Sequence, residues 1–314
     1  MKRIFNVVDL SGRKDYPEEA TKKLDGLKVN ITHGNFRTQE EIIEGCKKAD
    51  VLLVTATHVT RYLLNNLPCL KAVIRYGVGL DRIDLSAARE KGVVVCNVTG
   101  FCTEEVSEHV LAMMLNFARN IHGLQKTVRW GRWEYTGYPL HRLSYKTLGI
   151  VGLGEIGRTL ARKAFALGMT VLGYDPYIKD KEIASVKITT LEDILKNSDY
   201  ISLHCPLTEK TRHLIGEREF KMMKPGAFII NTARGGIIKE SALIAALQKG
   251  LIGGVGLDVF ESEPPSGNNP LLAMENVIIT PHMAWYSEES SLEVVTRVFE
   301  QLSRVIKQLQ KKEE

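Results

Sequence analysis

Short apolar runs alternate with amphipathic segments along most of the chain. Five β-rich runs occupy roughly the first hundred residues, and they read RIFNVVD, KVNIT, VLLVTA, LKAVIRYG and VVVCNV. Helical patterns such as TQEEIIEGCKKA and LSAAREKG separate them. Strands that alternate with helices are typical of a parallel sheet with crossover helices. The first series therefore predicts one doubly wound α/β unit.

A second series of the same kind follows. Its runs are KTLGIVGLGEIG, TVLGYD, YISLHCP, AFIINTA, GGVGLDV and NVIITPH, again with helical patterns between them. The chain of 314 residues is long enough for two domains. We therefore predict an α/β fold of two doubly wound parallel-sheet domains.

Two helical segments fall outside this alternation. From Thr103 to Trp130 apolar residues recur at helical spacing after an opening that resembles a helix cap, which predicts one long helix between the two series. The final helix, roughly Glu288 to Lys311, has no strand after it. We expect it to pack on the first unit. That unit would be a discontinuous domain of residues 1–100 with 286–314, and residues 101–285 would form the second domain.

The composition argues against several classes of protein. A net charge of +5 is small for this length, and cations alternate with carboxylates, so we expect no nucleic-acid partner. Asp9 interrupts the first apolar run too early for a signal peptide, and no later run approaches a membrane span, so we expect a cytoplasmic protein without membrane contact. The 5 cysteines form no C-x-x-C pair, and no metal-ligand spacing occurs. We expect reduced thiols and no metal.

A glycine-rich turn follows the first strand of the second series. Gly152, Gly154 and Gly157 form a G-x-G-x-x-G that opens a helix, which suits a pyrophosphate at the helix N-terminus. Asp175 ends the next strand, where a carboxylate can accept hydrogen bonds from ribose hydroxyls. The same charge would repel a 2'-phosphate, and no arginine follows it, so we predict NAD rather than NADP, although Lys179 is near. Alone, the glycines would fit an ordinary strand-to-helix turn.

Further chemical groups fall at the carboxyl ends of later strands, in NTARGG, LDVFESEPP and TPHMAW. Hydride exchange between a nicotinamide and a 2-keto or 2-hydroxy acid needs a guanidinium for the substrate carboxylate, an imidazole as acid and base, and a carboxylate that orients the imidazole. Arg234, His282 and Glu263 are residues of these types. Each also has a structural interpretation, as a loop arginine, a buried histidine or a solvated loop acid. The residues alone do not bring the three together in space.

Longer motifs carry a resemblance. VGLGEIGRTLARKAFALGMTVLGYDP, MKPGAFIINTARGGIIKESALIAAL and the pair GVGLDVFESEPP and NVIITPHMAW resemble the signature regions of the D-isomer-specific 2-hydroxyacid dehydrogenases. AVIRYGVGLDRIDLSAAREKGVVVCNVTG resembles that family's domain junction. The resemblance implies two Rossmann-like domains, one flavodoxin-like and one NAD-binding, with the active site in the cleft. It also implies a small 2-hydroxy or 2-keto acid as substrate and a homodimer.

The resemblance also implies roles for individual residues. Arg234 would bind the substrate, Glu263 would orient the acid/base, and His282 would be that acid/base. The predicted cofactor contacts are Gly152, Gly154, Glu155, Ile156, Gly157, Asp175, Cys205, Thr232 and Asp258. The predicted substrate contacts are Arg75, the backbone of Tyr76, Gly77, Val78 and Gly79, and Trp285.

Individual residues separate three branches of this family. Glu263 argues against the formate dehydrogenases, which resemble a pattern with glutamine there. D-3-phosphoglycerate dehydrogenase stays an alternative, but GRWEYTGYP offers few cations for a phosphate and the chain leaves no room for a regulatory domain. The closest likeness, in YDPYIKD, LHCPLTEKTRHLI and PHMAWYSEESSLE, is to the C-terminal-binding proteins and similar bacterial dehydrogenases.

This likeness keeps two functions open, a metabolic dehydrogenase and an NAD(H)-responsive corepressor-like binding module with vestigial activity. The intact set of Arg234, Glu263 and His282 favours the enzyme. Trp285 departs from the small or polar residues that much of the family has after the histidine. It would narrow the cleft near the nicotinamide and favour a flat or apolar substrate tail, or it would only pack the domain junction.

Overall fold

The computed structural model describes residues 3–180, 182–183 and 186–313. The strands are β1 Phe5–Asp9, β2 Val29–His33, β3 Val51–Val54, β4 Ala72–Arg75, β5 Val94–Cys96, β6 Thr147–Val151, β7 Thr170–Tyr174, β8 Glu182–Ile183, β9 Val186–Ile188, β10 Tyr200–Leu203, β11 Phe228–Asn231, β12 Gly254–Leu257 and β13 Val277–Ile279. The helices are α1 Glu18–Thr21, α2 Gln39–Cys46, α3 Arg61–Asn65, α4 Leu85–Glu90, α5 Thr103–Arg119, α6 Ile121–Arg129, α7 Glu155–Ala166, α8 Leu191–Asn197, α9 Glu217–Met222, α10 Glu240–Gln248 and α11 Glu288–Glu313. Short 3-10 helices cover Lys22–Leu24, Leu143–Tyr145, Gly235–Ile237 and Pro270–Ala273.

The chain forms two compact units. One contains the residues up to Phe101 together with those from Ser287 onward, and the other contains Cys102–Tyr286. Residues 1–2 and 314 of the predicted discontinuous domain lie outside the described residues.

The first unit is built on a five-stranded parallel sheet with the order β2-β1-β3-β4-β5. That order is the flavodoxin-like one. All four residues of β3 are buried, because helices cover both faces of a central parallel strand. The predicted α/β class is therefore confirmed for this half of the fold.

The long helix α11 completes the first unit. It contacts α1 and β4, and its buried residues recur at helical spacing. They are Val294, Val295, Val298, Phe299, Leu302, Val305 and Ile306. Burying this apolar face gives the unit a large part of its core, since each such side chain contributes about 1.5 to 3 kcal/mol.

A buried carboxylate anchors the end of β4. Asp9 is 1% exposed, and its Oδ2 accepts hydrogen bonds from the hydroxyls of Tyr16 at 2.6 Å and Tyr76 at 2.9 Å. Its Oδ1 accepts from the backbone N–H of Ser11 at 2.7 Å. Burial, and then the neighbouring carboxylate, raise the pKa of both tyrosines, so both hydroxyls stay protonated and can donate. The side chain of Tyr76 is thereby held in the core of the unit.

The second unit contains an eight-stranded sheet with the order β13-β12-β11-β10-β6-β7-β9-β8. Among the described strands, only the short pair β8 and β9 is antiparallel. Counted from β6, the parallel strands run 3-2-1-4-5-6 with β13 added at the edge, which is the dinucleotide-binding order. The strand order reverses between β6 and β10, and ligands of such sheets bind at the carboxyl ends beside this point.

Two features differ from the sequence-based expectation. The predicted long helix from Thr103 to Trp130 is wrong as a single helix, because Asn120 adopts a left-handed φ of 47° and separates α5 from α6. Asparagine tolerates this conformation better than most residues. The strands β8 and β9 were not predicted, since each spans at most three residues. Within residues 3–180, 182–183 and 186–313, every helix is too short or too polar to cross a bilayer.

We expect Tyr76→Phe to lower the free energy of unfolding by about 2 kcal/mol and Tyr16→Phe by about 1 kcal/mol. Both changes remove one donor from Asp9, but Tyr76 bonds to it in a buried setting, whereas Tyr16 is half-buried and water can replace its hydroxyl. Urea denaturation of the two variants followed by circular dichroism measures the difference. Equal losses in both would show that burial does not set the strength of these bonds.

Candidate active site

Three glycines shape the turn between β6 and α7, each for a different reason. A Cβ on Gly152, whose φ is 97°, would lie 2.8 Å from the backbone of His204 and Cys205. A Cβ on Gly157 would lie 2.2 Å from the carbonyl oxygen of Gly152, so the helix can approach the strand only without a side chain there. A Cβ on Gly154 would meet no described atom within 4 Å. The fold therefore requires the first and third glycines, whereas the second borders open space.

Asp175 follows β7 and faces this turn. Its Oδ2 accepts a hydrogen bond from the backbone N–H of Leu153 at 3.0 Å, and its Oδ1 accepts one from Tyr177 at 3.0 Å. A carboxylate oxygen can accept more than one hydrogen bond. The two backbone donors fix the carboxylate beside the glycines and leave it capacity for hydroxyl donors.

The end of β10 lies behind the same turn. Burial lowers the pKa of His204 to about 4, so the ring is neutral near pH 7, and its Nε2 lies 2.8 Å from the Ser202 hydroxyl. Burial, with a smaller contribution from the Asp175 charge, raises the pKa of Cys205 to about 11. A protonated thiol is a poor nucleophile, so the raised pKa argues against covalent chemistry at Cys205.

Thr232 lies just after β11. Its hydroxyl oxygen is buried and has no hydrogen-bond partner among the residues that the structure describes. A buried unpaired hydroxyl costs about 1 to 3 kcal/mol unless a ligand or water pairs with it. With the open space at Gly154 and the carboxylate of Asp175, this oxygen fits a bound dinucleotide. In the first turn of α7, Glu155 is exposed and Ile156 is half-buried.

Asp258, directly after β12, holds the segment that contains His282. Its buried carboxylate accepts hydrogen bonds from the backbone N–H groups of Met283 at 2.8 Å and Ala284 at 2.9 Å. It also accepts from the Thr280 hydroxyl at 2.6 Å. Its backbone carbonyl accepts from the His282 N–H at 2.8 Å. Asp258, which was predicted as a cofactor contact, therefore holds the residues on both sides of His282 in place.

His109 on α5 extends this arrangement and was not predicted from the sequence. Its Nε2 lies 2.9 Å from the Thr280 hydroxyl. That hydroxyl donates its hydrogen bond to Asp258, so in the bond between His109 and Thr280 the donor is Nε2–H. Desolvation lowers the pKa of His109, although the Asp258 charge opposes the shift. A single histidine on an amphipathic helix gives no sequence signal that separates this role from ordinary packing.

His282 and Glu263 form a hydrogen-bonded pair. Nδ1 of His282 lies 2.8 Å from Oε2 of Glu263. A carboxylate only accepts hydrogen bonds, so Nδ1 carries the hydrogen and Nε2 is left to exchange a proton. Nε2 has no partner among the described residues. The backbone φ of His282 is 52°, a left-handed conformation that few residues with a side chain adopt. Strain of this kind is common where a side chain must point in one direction.

Arg234 lies between β11 and a short 3-10 helix. Its Nη1 donates to the carbonyl of Ala233 at 2.7 Å, and its own carbonyl accepts from the buried Asn231 amide at 2.9 Å. The next residue, Gly235, rests on the loop of Glu263, since a Cβ there would lie 1.9 Å from the carbonyl carbon of Phe260. The backbone N–H of Phe260 in turn donates to Oε1 of Glu263 at 3.3 Å. The structure thus joins the loops of the three predicted catalytic residues.

The remaining predicted contacts are placed separately. Trp285 is half-buried and meets Tyr286 edge-on, with ring centroids 5.6 Å apart. In the first unit, the Arg75 side chain donates to the carbonyls of Gly79 and Thr55, which curls the backbone of residues 76–79 around it. Within that turn Val78 is exposed. Across residues 3–180, 182–183 and 186–313, no cluster of three or more His, Cys, Asp or Glu residues could hold a metal ion.

Comparison with known proteins identifies the second unit. The sequence model of the D-isomer specific 2-hydroxyacid dehydrogenase, NAD binding domain, matches residues 111–284. A D-3-phosphoglycerate dehydrogenase from Methanocaldococcus jannaschii is 42% identical over 92% of this chain and 56% of its own length. The chain spans about half the length of the phosphoglycerate dehydrogenases that it matches.

Relatives of similar length also match. A hydroxypyruvate reductase from Thermotoga maritima is 38% identical over 91% of this chain and 95% of its own length. The crystal structure of a D-lactate dehydrogenase from Aquifex aeolicus, complexed with NAD and lactic acid, superposes with a TM-score of 0.84. It is 32% identical and covers 98% of this chain and 96% of its own.

We expect Gly154→Ala to melt like the unaltered protein but to bind NADH about tenfold more weakly, because its new methyl group enters space that the fold leaves open. Gly157→Ala is the matched change in the same turn. It should lower the free energy of unfolding by about 2 to 3 kcal/mol, because its methyl group meets the Gly152 carbonyl. Thermal melting and NADH fluorescence titration measure both quantities. Unchanged NADH affinity in Gly154→Ala would place the phosphates elsewhere.

Proposed function

Because this chain belongs to the D-isomer-specific 2-hydroxyacid dehydrogenase family, we propose that it is an NAD-dependent oxidoreductase that interconverts a 2-keto acid and a D-2-hydroxy acid. The hydrogen bond between His282 Nδ1 and Glu263 Oε2, at 2.8 Å on loops joined to that of Arg234, is the observation that carries the proposal. It supplies an oriented proton donor beside a residue suited to a carboxylate.

NAD(H), when bound, accepts or supplies the hydride. The N-terminus of α7 and Gly154 would hold its pyrophosphate, since helix N-termini bind anions. Asp175 would accept hydrogen bonds from the ribose hydroxyls and disfavour the 2'-phosphate of NADP. The Thr232 hydroxyl would donate to, or accept from, a polar group of the cofactor. Cys205 and Ile156 would add apolar surface.

His282 performs the proton transfer in this proposal. During reduction the imidazolium, with hydrogens on both nitrogens, would donate its Nε2–H to the carbonyl oxygen of the keto acid. During oxidation the neutral Nε2 accepts the hydroxyl proton. Glu263 keeps the hydrogen on Nδ1 and holds the ring in one orientation, so Nε2 is the nitrogen that gains or loses the proton in both directions.

Arg234 binds and polarises the substrate. Its planar guanidinium matches the two oxygens of a carboxylate, and its charge stabilises the negative charge that develops on the carbonyl oxygen. Arg75 and the backbone of residues 76–79 are proposed as further substrate contacts. Trp285 would limit the size and polarity of the substrate tail.

The proposed substrates are small unphosphorylated 2-keto acids. The hydroxypyruvate reductase from Thermotoga maritima is 38% identical over 91% of this chain, which supports this class. D-3-phosphoglycerate dehydrogenase is the second candidate, because the relative of that name from Methanocaldococcus jannaschii shares 42% identity. The likeness to C-terminal-binding proteins stays a prediction, and it would gain weight if NADH bound tightly without turnover.

We expect the purified protein to oxidise NADH in the presence of glyoxylate, hydroxypyruvate or a longer 2-keto acid. The rate should fall by a factor of about 100 or more in His282→Ala, because the alkoxide then loses its proton donor. A spectrophotometric assay at 340 nm with these acids and with 3-phosphohydroxypyruvate measures it. Full activity in His282→Ala would remove the histidine from the chemistry.

Arg234→Lys is the matched comparison in the same assay. It keeps the positive charge but loses the planar fork, so KM should rise and kcat should fall together. Unchanged kinetics in this variant would mean that the substrate carboxylate binds elsewhere. Preference for 3-phosphohydroxypyruvate over all other acids would favour the second candidate.

We also propose that the chain forms a homodimer. Large apolar side chains are unusually exposed between residues 121 and 145 of the second unit, and such surface is typical of an interface between protein chains. They are Ile121, Val128, Trp130, Trp133, Tyr135, Tyr138 and Tyr145. A second copy of the chain is the occupant that the family resemblance favours.

We expect sedimentation equilibrium to give twice the chain mass, and the double variant Trp130→Glu with Trp133→Glu to give the chain mass, because buried charges oppose association. Tyr177→Glu is a control, since Tyr177 is 87% exposed outside this segment. A dimer that survives the double variant would place the interface on another surface.

A further inference from the structure

A second histidine–glutamate pair lies next to the loop of Glu263. Nε2 of His213 is 2.6 Å from Oε1 of Glu261, two residues before Glu263. The side chains are 42% and 35% exposed. The reaction as proposed above uses neither residue. Both histidines in these two pairs have left-handed backbones, with φ values of 54° for His213 and 52° for His282.

The backbone of His213 is bonded to the segment that follows Arg234. Its N–H donates to the carbonyl of Gly236 at 2.8 Å. Two residues later, Ile215 donates to the carbonyl of Ile237 and accepts from the N–H of Lys239, at 3.1 and 2.9 Å. His213 is therefore fixed to the loop of Arg234 through its main chain, while its side chain reaches the loop of Glu263.

Glu261 is held from three directions. Its carboxylate bonds to His213, and its N–H donates to Oε2 of Glu240 at 3.4 Å. Its backbone also lies against Gly235, where a Cβ would come within 2.4 Å of the Glu261 nitrogen. The other Glu240 oxygen accepts from the Asn269 amide at 2.8 Å. These contacts fix the loop on which Glu263 projects toward His282.

The energies indicate a role in positioning. An exposed histidine–carboxylate contact contributes little to folding. A non-glycine residue in the left-handed region is disfavoured, which a glycine at position 213 would avoid. His213 therefore adds little or no net stability. A misplacement of about 1 Å at a reacting group, by contrast, can lower a rate by a factor of about 100.

We propose that His213 and Glu261 are positioning residues that fix the loop of Glu263 relative to the loop of Arg234. They thereby keep Glu263 on Nδ1 of His282 and the imidazole aligned with a substrate held by Arg234. This inference deepens the proposed dehydrogenase function and rests on it. In this role neither residue would touch the substrate or the reacting atoms.

The test uses four variants and one control. His213→Asn tolerates the left-handed backbone but is too short to reach Glu261, whereas His213→Gln keeps an amide donor at the longer reach. Glu261→Ala removes the acceptor, and the double variant with His213→Asn removes both partners. Glu192→Ala is the matched control, because it deletes an exposed ion pair with Lys196 that lies outside both loops.

Four quantities are measured on each full-length protein. They are kcat, KM for the keto acid, the Kd for NADH, and the 15N resonances of the His282 ring in histidine-labelled protein. The spectrum of His282→Gln assigns these resonances. The ring resonances need no turnover, so they test the positioning even if the proposed substrates are wrong.

We expect His213→Asn and Glu261→Ala each to lower kcat by about tenfold, with the Kd for NADH changed by less than about twofold. The double variant should be no slower than either single variant, because both remove the same contact. His213→Gln should recover most of the rate. The Nδ1 resonance of His282 should shift in the slow variants and stay in place in Glu192→Ala.

Different failures have different signatures. Wild-type kcat and an unmoved His282 resonance in both single variants would overturn the positioning role. Additive losses in the double variant, or an equal loss in Glu192→Ala, would also overturn it. A wild-type protein that is silent with every keto acid would contradict the proposed function. In that case a shifted His282 resonance in the variants would still support the link between the two pairs.

Discussion

The site depends on one buried charge, the carboxylate of Asp258. A charge out of water is tolerable only when donors surround it, and here two backbone N–H groups and the Thr280 hydroxyl do so. Thr280 precedes His282 in the sequence, and Met283 and Ala284 follow it. The hydrogen bonds from these residues to Asp258 therefore also fix the position of the histidine. The hydrogen bonds that stabilise the buried Asp258 carboxylate therefore also hold the left-handed backbone of His282 in place.

The parallel sheet extends this constraint to the other groups. Strands β11, β12 and β13 are paired in parallel, and their carboxyl ends lie at the same edge of the sheet. The residues that follow these strands are therefore close together in space. Arg234, Asp258 and His282 each follow one of these strands. Close backbone contact at Gly235 then sets the spacing between adjacent loops. The sheet fixes where the groups lie, and the loops fix how they point.

The parts that sequence could predict are those with local signals. Buried apolar runs predicted eleven of the thirteen strands in the described part of the chain, and the glycine motif located the turn before α7. The contacts of His109 and Gly235 could not be predicted, because their partners, Thr280 and Phe260, are distant in sequence and common in type. The break at Asn120 was missed for a different reason, since apolar spacing continues through it and only the backbone conformation reveals it.

The placement of α11 has a consequence for biosynthesis. The second unit uses one continuous stretch, Cys102–Tyr286, whereas the first needs residues from both sides of it. On a ribosome, the early strands β1 to β5 emerge long before the apolar face of α11 that covers part of their core. Strands β1 to β5 therefore stay partly exposed until α11 is synthesised, whereas the second unit can fold before that. Chaperone contact during translation should therefore concentrate on the first hundred residues.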